Sequence, residues 1–400
     1  MQAGEPRLNR KERDMNREEW KERENIYACW LCNFPDIGNK QLYRLTDFCG
    51  GPEAVYQADK EKWGQVLSPK QVQSLSRYTA LWKPETEYRK MREEGIRLVT
   101  IADEGYPERL KAIPDAPYCL FIRGKLPVEN APAVAVIGAR ECSEYGRHVA
   151  RLLGTALGRR GVTVVSGMAR GIDGISQEAA MEAGGYSVGV LGSGVDICYP
   201  AQNRVIYEKL INTGTVLSTY PLGTPARPQN FPPRNRIVSG LADAVVVVEA
   251  RHKSGTLITV DMALEQGREV YVIPGRVTDR LSDGCNRLAK QGAGIVLSPE
   301  SFLEEIWQLW ETGKKAPYTK QKKPHESQTA NAFLEQPKTA GLSEELAEIC
   351  EALDFTPKTP EEICQQLPGR YPEKQIIPCL MQLCMESLAV QVSPGRFCRR

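Results

Sequence analysis

The stretch Ala133-Val134-Ala135-Val136-Ile137-Gly138-Ala139-Arg140 decides the fold class. Its unbroken apolar run leaves no face for water, so it predicts a strand buried on both sides. The glycine after it marks a tight exit, and Tyr145-Gly146 opens a helix reaching about Arg160. The pattern then recurs along the chain. Residues 162–165 form a second apolar run, followed by Gly167 and a helix from about Ile172; further runs occupy 187–191, 215–218, 244–248 and 270–273. Apolar strands alternating with helical segments predict an α/β architecture with a Rossmann-like parallel sheet, here residues 131–310.

Working outward, residues 83–130 read as a connecting extended segment. Leu98-Val99-Thr100-Ile101 and residues 118–122 look like short strands, with Pro107, Pro114 and Pro117 between them favouring extended chain. Residues 25–82 read as a small helical domain of the SAM or helix-hairpin-helix kind. Its turn Pro35-Asp36-Ile37-Gly38-Asn39-Lys40 resembles one in which a glycine lets backbone amides approach a phosphate. Residues 1–24 form a charged leader. On the other side, residues 311–340 read as a flexible basic linker holding Lys314, Lys315, Lys320, Lys322, Lys323 and Lys338. Residues 341–400 suggest three helices and a strand–turn–strand, the plan of a winged-helix domain.

Composition excludes several classes. Four hundred residues exceed one ordinary core. No run approaches the roughly 18–20 apolar residues needed to cross a bilayer, and the polar N-terminus is no secretory signal. Net charge is only +2, so nucleic-acid binding needs a local basic patch. The twelve cysteines are scattered and fit a reducing cytoplasm. Cys29 and Cys32 form a C-x-x-C without a second pair, amid Ile26, Tyr27, Trp30 and Leu31, which suggests helix core rather than a metal. No Walker motif or G-x-G-x-x-G follows the first strand, so neither ATP nor a dinucleotide cofactor is expected. Three histidines, His148, His252 and His325, offer little for a catalytic triad.

In a parallel sheet, ligands bind beyond the carboxyl ends of the strands. The loops there carry Gly138, Ala139 and Arg140; Ser166, Gly167, Met168, Ala169, Arg170 and Gly171; Gly192-Ser193-Gly194; Phe231, Arg234, Asn235 and Arg236; and Lys253, Ser254 and Gly255. Glycines at helix starts expose amides to an anion. Arg140, Arg170, Arg234 and Arg236, from separate loops, are expected to converge as forked phosphate donors. Tyr199 and Phe231 are placed to supply stacking.

These residues, with Ile172-Asp173, Tyr199-Pro200, Phe231-Pro232-Pro233-Arg234-Asn235-Arg236-Ile237, Lys253-Ser254-Gly255-Thr256-Leu257-Ile258-Thr259 and Leu281-Ser282-Asp283-Gly284-Cys285-Asn286, closely resemble the DNA-processing protein A (DprA/Smf) family over residues 95–300. The flanks resemble it too, with a helical N-terminal domain and a winged helix ending in Gly395-Arg396-Phe397. The resemblance implies a cytoplasmic protein without enzymatic activity. It would bind single-stranded DNA, protect it and load RecA recombinase during natural transformation. It also implies a homodimer through the segment between about Leu281 and Ile295. Arg140 occupies the position of the family's key DNA-contacting arginine, with Ala139 replacing a serine. Ala201 stands where the family often has a basic residue, and Arg204 is the candidate substitute.

Two alternatives come from other classes. Related Rossmann-like enzymes cleave nucleoside monophosphates with a Pro-Gly-Gly-x-Gly-Thr-x-x-Glu motif; here Thr259 stands at the glutamate position. The other is a winged-helix transcription regulator, but residues 373–388 carry only Lys374 as a base.

Overall fold

The computed structural model describes residues 17–127, 129–313, 342–367 and 371–399. Residues 1–16 of the expected leader and 314–341, which include all six linker lysines, lie outside the described residues. Six helices come first: α1 (Arg17–Cys32), α2 (Asn39–Cys49), α3 (Pro52–Gln57), α4 (Lys60–Gly64), α5 (Pro69–Leu81) and α6 (Pro84–Glu93). Local chemistry sets their ends. Ser68 and Gln71 exchange side-chain-to-backbone bonds at the start of α5, where Pro69 is first in the helix. Gly50, with φ of 98°, ends α2 in the left-handed turn. Cys29 and Cys32 are buried core, with the Cys29 sulfur 3.7 Å from that of Met91. Burial pushes the Cys29 thiol up to about 12.

The turn between α1 and α2 corrects one expectation. The Gly38 amide donates to the Gln41 side chain, so it is satisfied within the turn. Asn39 accepts the Tyr118 amide at 2.7 Å and donates to the Ala116 carbonyl at 2.8 Å. The turn docks on the chain leading into the sheet rather than presenting that glycine to a phosphate.

The sheet strands are β1 (Ile96–Thr100), β2 (Cys119–Gly124), β3 (Ala133–Ile137), β4 (Thr163–Ser166), β5 (Ser187–Leu191), β6 (Thr215–Ser218), β7 (Ala244–Val247), β8 (Glu269–Val272) and β9 (Gly294–Ile295). They lie in the order β1-β2-β6-β5-β4-β3-β7-β8-β9. β3 through β9 run parallel, while β2 pairs antiparallel with both β1 and β6. The segment read as a connection therefore builds one end of the sheet. The connecting helices are α7 (Glu108–Lys111), α8 (Glu144–Arg159), α9 (Ile172–Glu182), α10 (Arg204–Thr213), α11 (Phe231–Gly240), α12 (Gly255–Glu265), α13 (Asp283–Lys290) and α14 (Pro299–Gly313).

Alternate residues of the central strands enter two cores. Val134, Val136 and Val246 pack with α8, α9 and α14; Ala135, Val245 and Val247 pack with α7, α11 and α12. A third core joins α1, α2 and α5 to β1, β2, β6 and α10, so the N-terminal helices share apolar packing with the sheet. The C-terminal unit comprises α15 (Glu344–Ala352), α16 (Pro360–Gln366), α17 (Glu373–Met385), β10 (Ala389–Ser393) and β11 (Arg396–Arg399). Its two strands pair antiparallel around Gly395, and Phe397 enters its own core. This is the three-helix-plus-hairpin plan expected for that segment. Among the described residues no helix is long and apolar enough to cross a membrane.

Helices α8 and α9 touch through glycines. A Cβ on Gly154 would lie 2.3 Å from the Ser176 carbonyl oxygen, and one on Gly158 2.5 Å from that of Ala180. Gly154→Val is expected to lower the unfolding free energy by about 2–3 kcal/mol in a urea titration. Gly64→Ala, in open space, is expected to shift it by about 1 kcal/mol at most, toward stability.

Candidate nucleic-acid interface

The strand order switches direction at β3, which has β4 on one side and β7 on the other. The helices after β3 and β7 cover opposite faces, so the crevice between them opens at the carboxyl edge. A cleft of about 450 Å³ lies there. Gly138, Ala139 and Arg140 line it after β3, and Gly167, Ala169 and Asp173 after β4. Ser254, Gly255, Thr256 and Thr259 come from the start of α12, and Phe231, Arg234 and Asn235 from α11.

The loops interlock closely. Gly171 has φ of 74°, and a Cβ there would meet the Ala139 carbonyl oxygen at 2.3 Å. A Cβ on Gly167 would overlap the Arg234 guanidinium, at 1.9 Å from Nη1. Arg234 is only 5% exposed. Its Nη1 donates to the carbonyls of Gly167 and, at 2.7 Å, Val190, so it ties the ends of β4 and β5 together. Asp173 is buried nearby and accepts the Gly167 amide at 3.1 Å. Burial lowers Arg234 to about 10, against the opposing pull of Asp173, so the guanidinium stays charged at neutral pH. Burial likewise raises Asp173, with Arg234 opposing.

Above this floor sits an aromatic platform. Tyr199 and Phe231 stack with centroids 5.7 Å apart and planes at 26°. The guanidinium carbons of Arg140 and Arg234 lie 5.3 and 5.7 Å from the Phe231 centroid, within cation–π range. Arg140 is exposed and Tyr199 is 44% exposed, so the platform faces solvent. Opposite, the N-terminus of α12 points its dipole at the cleft. Ser254 accepts the Thr256 amide at 3.2 Å, and the Thr256 hydroxyl donates to the Gly138 carbonyl at 3.3 Å. Glu249, just beyond β7, accepts the Ser143 amide at 2.9 Å and also the Ser143 hydroxyl, capping α8. Burial raises its carboxyl, and the Ser143 hydrogen bonds oppose that.

The four arginines do not converge as expected. Arg140 borders the cleft, and Arg234 is its floor. Arg236 points elsewhere, because residues two apart on a helix face different directions. Its Nη2 donates to the Pro114 carbonyl, and its Nη1 lies 3.9 Å from Glu265. Arg170 and Lys253 are exposed on the loops but outside the cleft lining. Arg204 also lies outside it and pairs with Glu208 at 3.7 Å. Ser166 and Met168 are fully buried, and the Ser166 hydroxyl donates to the Val136 carbonyl at 2.6 Å. The sequence reading missed Asp173, Thr256 and Thr259 as cleft residues. Position Thr256, two residues into a helix that begins after an apolar strand, was the available signal.

The chain is thus an α/β protein of the Rossmann-like class with an arginine–aromatic cleft at the switch point of its sheet. Residues 97–307 match the family model described as DNA recombination-mediator protein A, and the chain belongs to that family. Protein Smf of Escherichia coli K12 is 43% identical over 210 residues, 52% of this chain and 56% of that protein. The chain thus matches little more than half the length of that relative. The DNA processing protein DprA of Streptococcus pneumoniae R6 is 41% identical over 207 residues, 52% of this chain and 73% of that one. The X-ray structure of DprA from Streptococcus pneumoniae superposes with a TM-score of 0.62 at 32% identity, covering 70% of this chain and 97% of that chain.

Arg234→Ala is expected to cost about 3 kcal/mol or more of stability, because it strips two buried carbonyls of their donor and the buried Asp173 of its nearby positive charge. Arg140→Ala, at an exposed site, is expected to change stability by no more than about 0.5 kcal/mol. Chemical unfolding of the two variants checks both.

Proposed function

We propose that the cleft binds single-stranded DNA without sequence preference and without catalysis, as a step in loading a RecA-type recombinase during natural transformation and recombination. The observation that carries the reading is the exposed platform of Arg140, Phe231 and Tyr199. Stacking on an aromatic ring needs splayed bases, which a single strand offers and a closed duplex does not. Arginine beside the ring supplies a forked donor for the adjacent phosphate. The family's description as a recombination mediator, and the name DNA processing protein carried by the streptococcal relative, support the biological setting.

The expected contacts are Gly138, Ala139, Arg140, Gly167, Ala169, Phe231, Asn235, Ser254 and Gly255, with Arg170 and Lys253 at the rim and Arg234 as support. Both buried carboxylates described at this edge are engaged: Asp173 by the Gly167 amide and Glu249 by Ser143. Thr259, in the place of a catalytic glutamate, is buried at 4% exposure. These features favour binding over nucleotide hydrolysis.

We read the chain as a helical N-terminal unit (25–82), an edge-building segment (83–130), the Rossmann-like unit (131–310), a linker (311–340) and a winged-helix unit (341–400), in a cytoplasmic protein. Exposed Ile295 and Leu297, at the free end of the sheet beside β9, support a homodimer through that edge. The outer face of α17 exposes Ile377, Met381 and Met385, which favours a protein contact over groove reading by that helix.

The test is binding of oligo-dT and of a duplex of equal length, by fluorescence anisotropy across a salt series. The single strand is expected to bind at least roughly tenfold tighter, with a log–log salt slope of about −0.7 per phosphate contacted. Tighter duplex binding, or release of free base from nucleotides, counts against this function.

A further inference from the structure

The carboxyl edge carries further cations outside the cleft lining, with Lys253 at its rim. Arg251 and Lys253 follow β7, and Arg276 and Arg280 lie between β8 and α13; all four are exposed. Backbone bonds join the two loops: the Ala250 amide donates to the Leu281 carbonyl and the Gly284 amide to the Ala250 carbonyl, each at 2.8 Å. Asn286 braces the second loop, accepting the Gly275 amide at 3.2 Å and donating to the Gly275 carbonyl at 3.1 Å. The side chains of Arg251 and Arg280 therefore spring from one fixed seam.

Among the described residues, Arg276 pairs with Asp354 of the C-terminal unit at 3.8 Å, whereas Arg251, Lys253 and Arg280 have no carboxylate partner. The loop's own acids do not occupy them. Asp279 accepts the Leu281 amide at 3.0 Å, and Asp283 sits in the first turn of α13. Strands β4, β3, β7 and β8 are neighbours, so Arg170, Arg140, Arg251 and Arg280 sit on four successive loops. The four strands, about 4.8 Å apart, span about 14 Å at this edge. The C-terminal unit lies beside this run: Asp354 pairs with Arg276, and Phe355 packs against Tyr145 and His148 of α8, with centroids at 5.7 and 5.0 Å.

We propose that Arg251 and Arg280 form a second phosphate-binding patch that carries a polynucleotide backbone out of the cleft, across β7 and β8, toward the C-terminal unit. The patch rests on the single-strand reading of the cleft. Its ligand is the phosphodiester backbone, because unpaired guanidiniums along an edge offer forked donors to phosphate oxygens and no surface that selects a base.

The test compares short and long oligo-dT, about 4 and 16 nucleotides, the range one single-strand site spans. The Arg251→Ala/Arg280→Ala double variant of the full chain is expected to bind the long strand roughly tenfold more weakly. Its salt slope should fall by about 1.4, two contacts at about 0.7 each. The short strand should bind as to wild type. Arg251→Lys/Arg280→Lys should recover most of the loss. Arg159→Ala/Arg160→Ala, the same charge change at the end of α8 on the opposite edge, should leave both strands unaffected. Equal losses for both lengths, no loss for the long strand, or an equal loss in the α8 control each overturn the patch. If wild type binds neither strand, the single-strand reading falls and the patch falls with it; if wild type binds both strands and the double variant binds them equally well, the patch alone falls.

Discussion

Arg234 holds a charged guanidinium beneath the cleft, bonded to the carbonyls that end β4 and β5. Isolating a charge from water is costly unless its surroundings compensate it, and here two carbonyls and the nearby Asp173 do so. The consequences spread outward. Gly167 must lack a side chain because the guanidinium occupies that space, and Phe231, one helical turn before Arg234, is held with its ring facing Arg140. Arg234, one of four arginines that the sequence offers as phosphate contacts, is therefore the support on which the cleft surface stands.

The exposed chemistry is simple once that floor is fixed. One exposed arginine, the Phe231 ring stacked on Tyr199, and one helix N-terminus meet at a cleft at the switch point of a parallel sheet. Each contributes modestly: a cation–π contact about 0.5–2 kcal/mol, a base stacked on an aromatic ring about 1–3 kcal/mol. Together they favour a flexible polyanion that can bring phosphate and base to the same place.

Much of the fold was legible because it is local. The buried strands announce themselves as unbroken apolar runs such as 133–137 and 244–247, and the helix opened at Tyr145-Gly146 begins one residue earlier, at Glu144. What was not legible depends on contacts between distant segments. Nothing in 96–124 states that β2 pairs with β6, nearly a hundred residues on. The turn at Gly38 has the composition of a phosphate-binding turn, and only the position of Tyr118 shows Asn39 docked on the sheet. At the site, Arg234 and Arg236 look equivalent in sequence, yet rotation about α11 buries one under the cleft and sends the other to Pro114. Asp173 stands in the motif after β4, but its place in the cleft is not legible in sequence, since a buried acid there makes sense only beside the buried Arg234.

The role proposed for Arg140 is that of the exposed contact of a cleft whose stability comes from other residues. Equilibrium binding of oligo-dT to Arg140→Ala, with the melting temperature measured on the same sample, tests it most directly. Affinity is expected to fall at least roughly tenfold with an unchanged melting temperature, as removal of a charge-assisted phosphate contact requires. Wild-type affinity in a folded Arg140→Ala protein would contradict it.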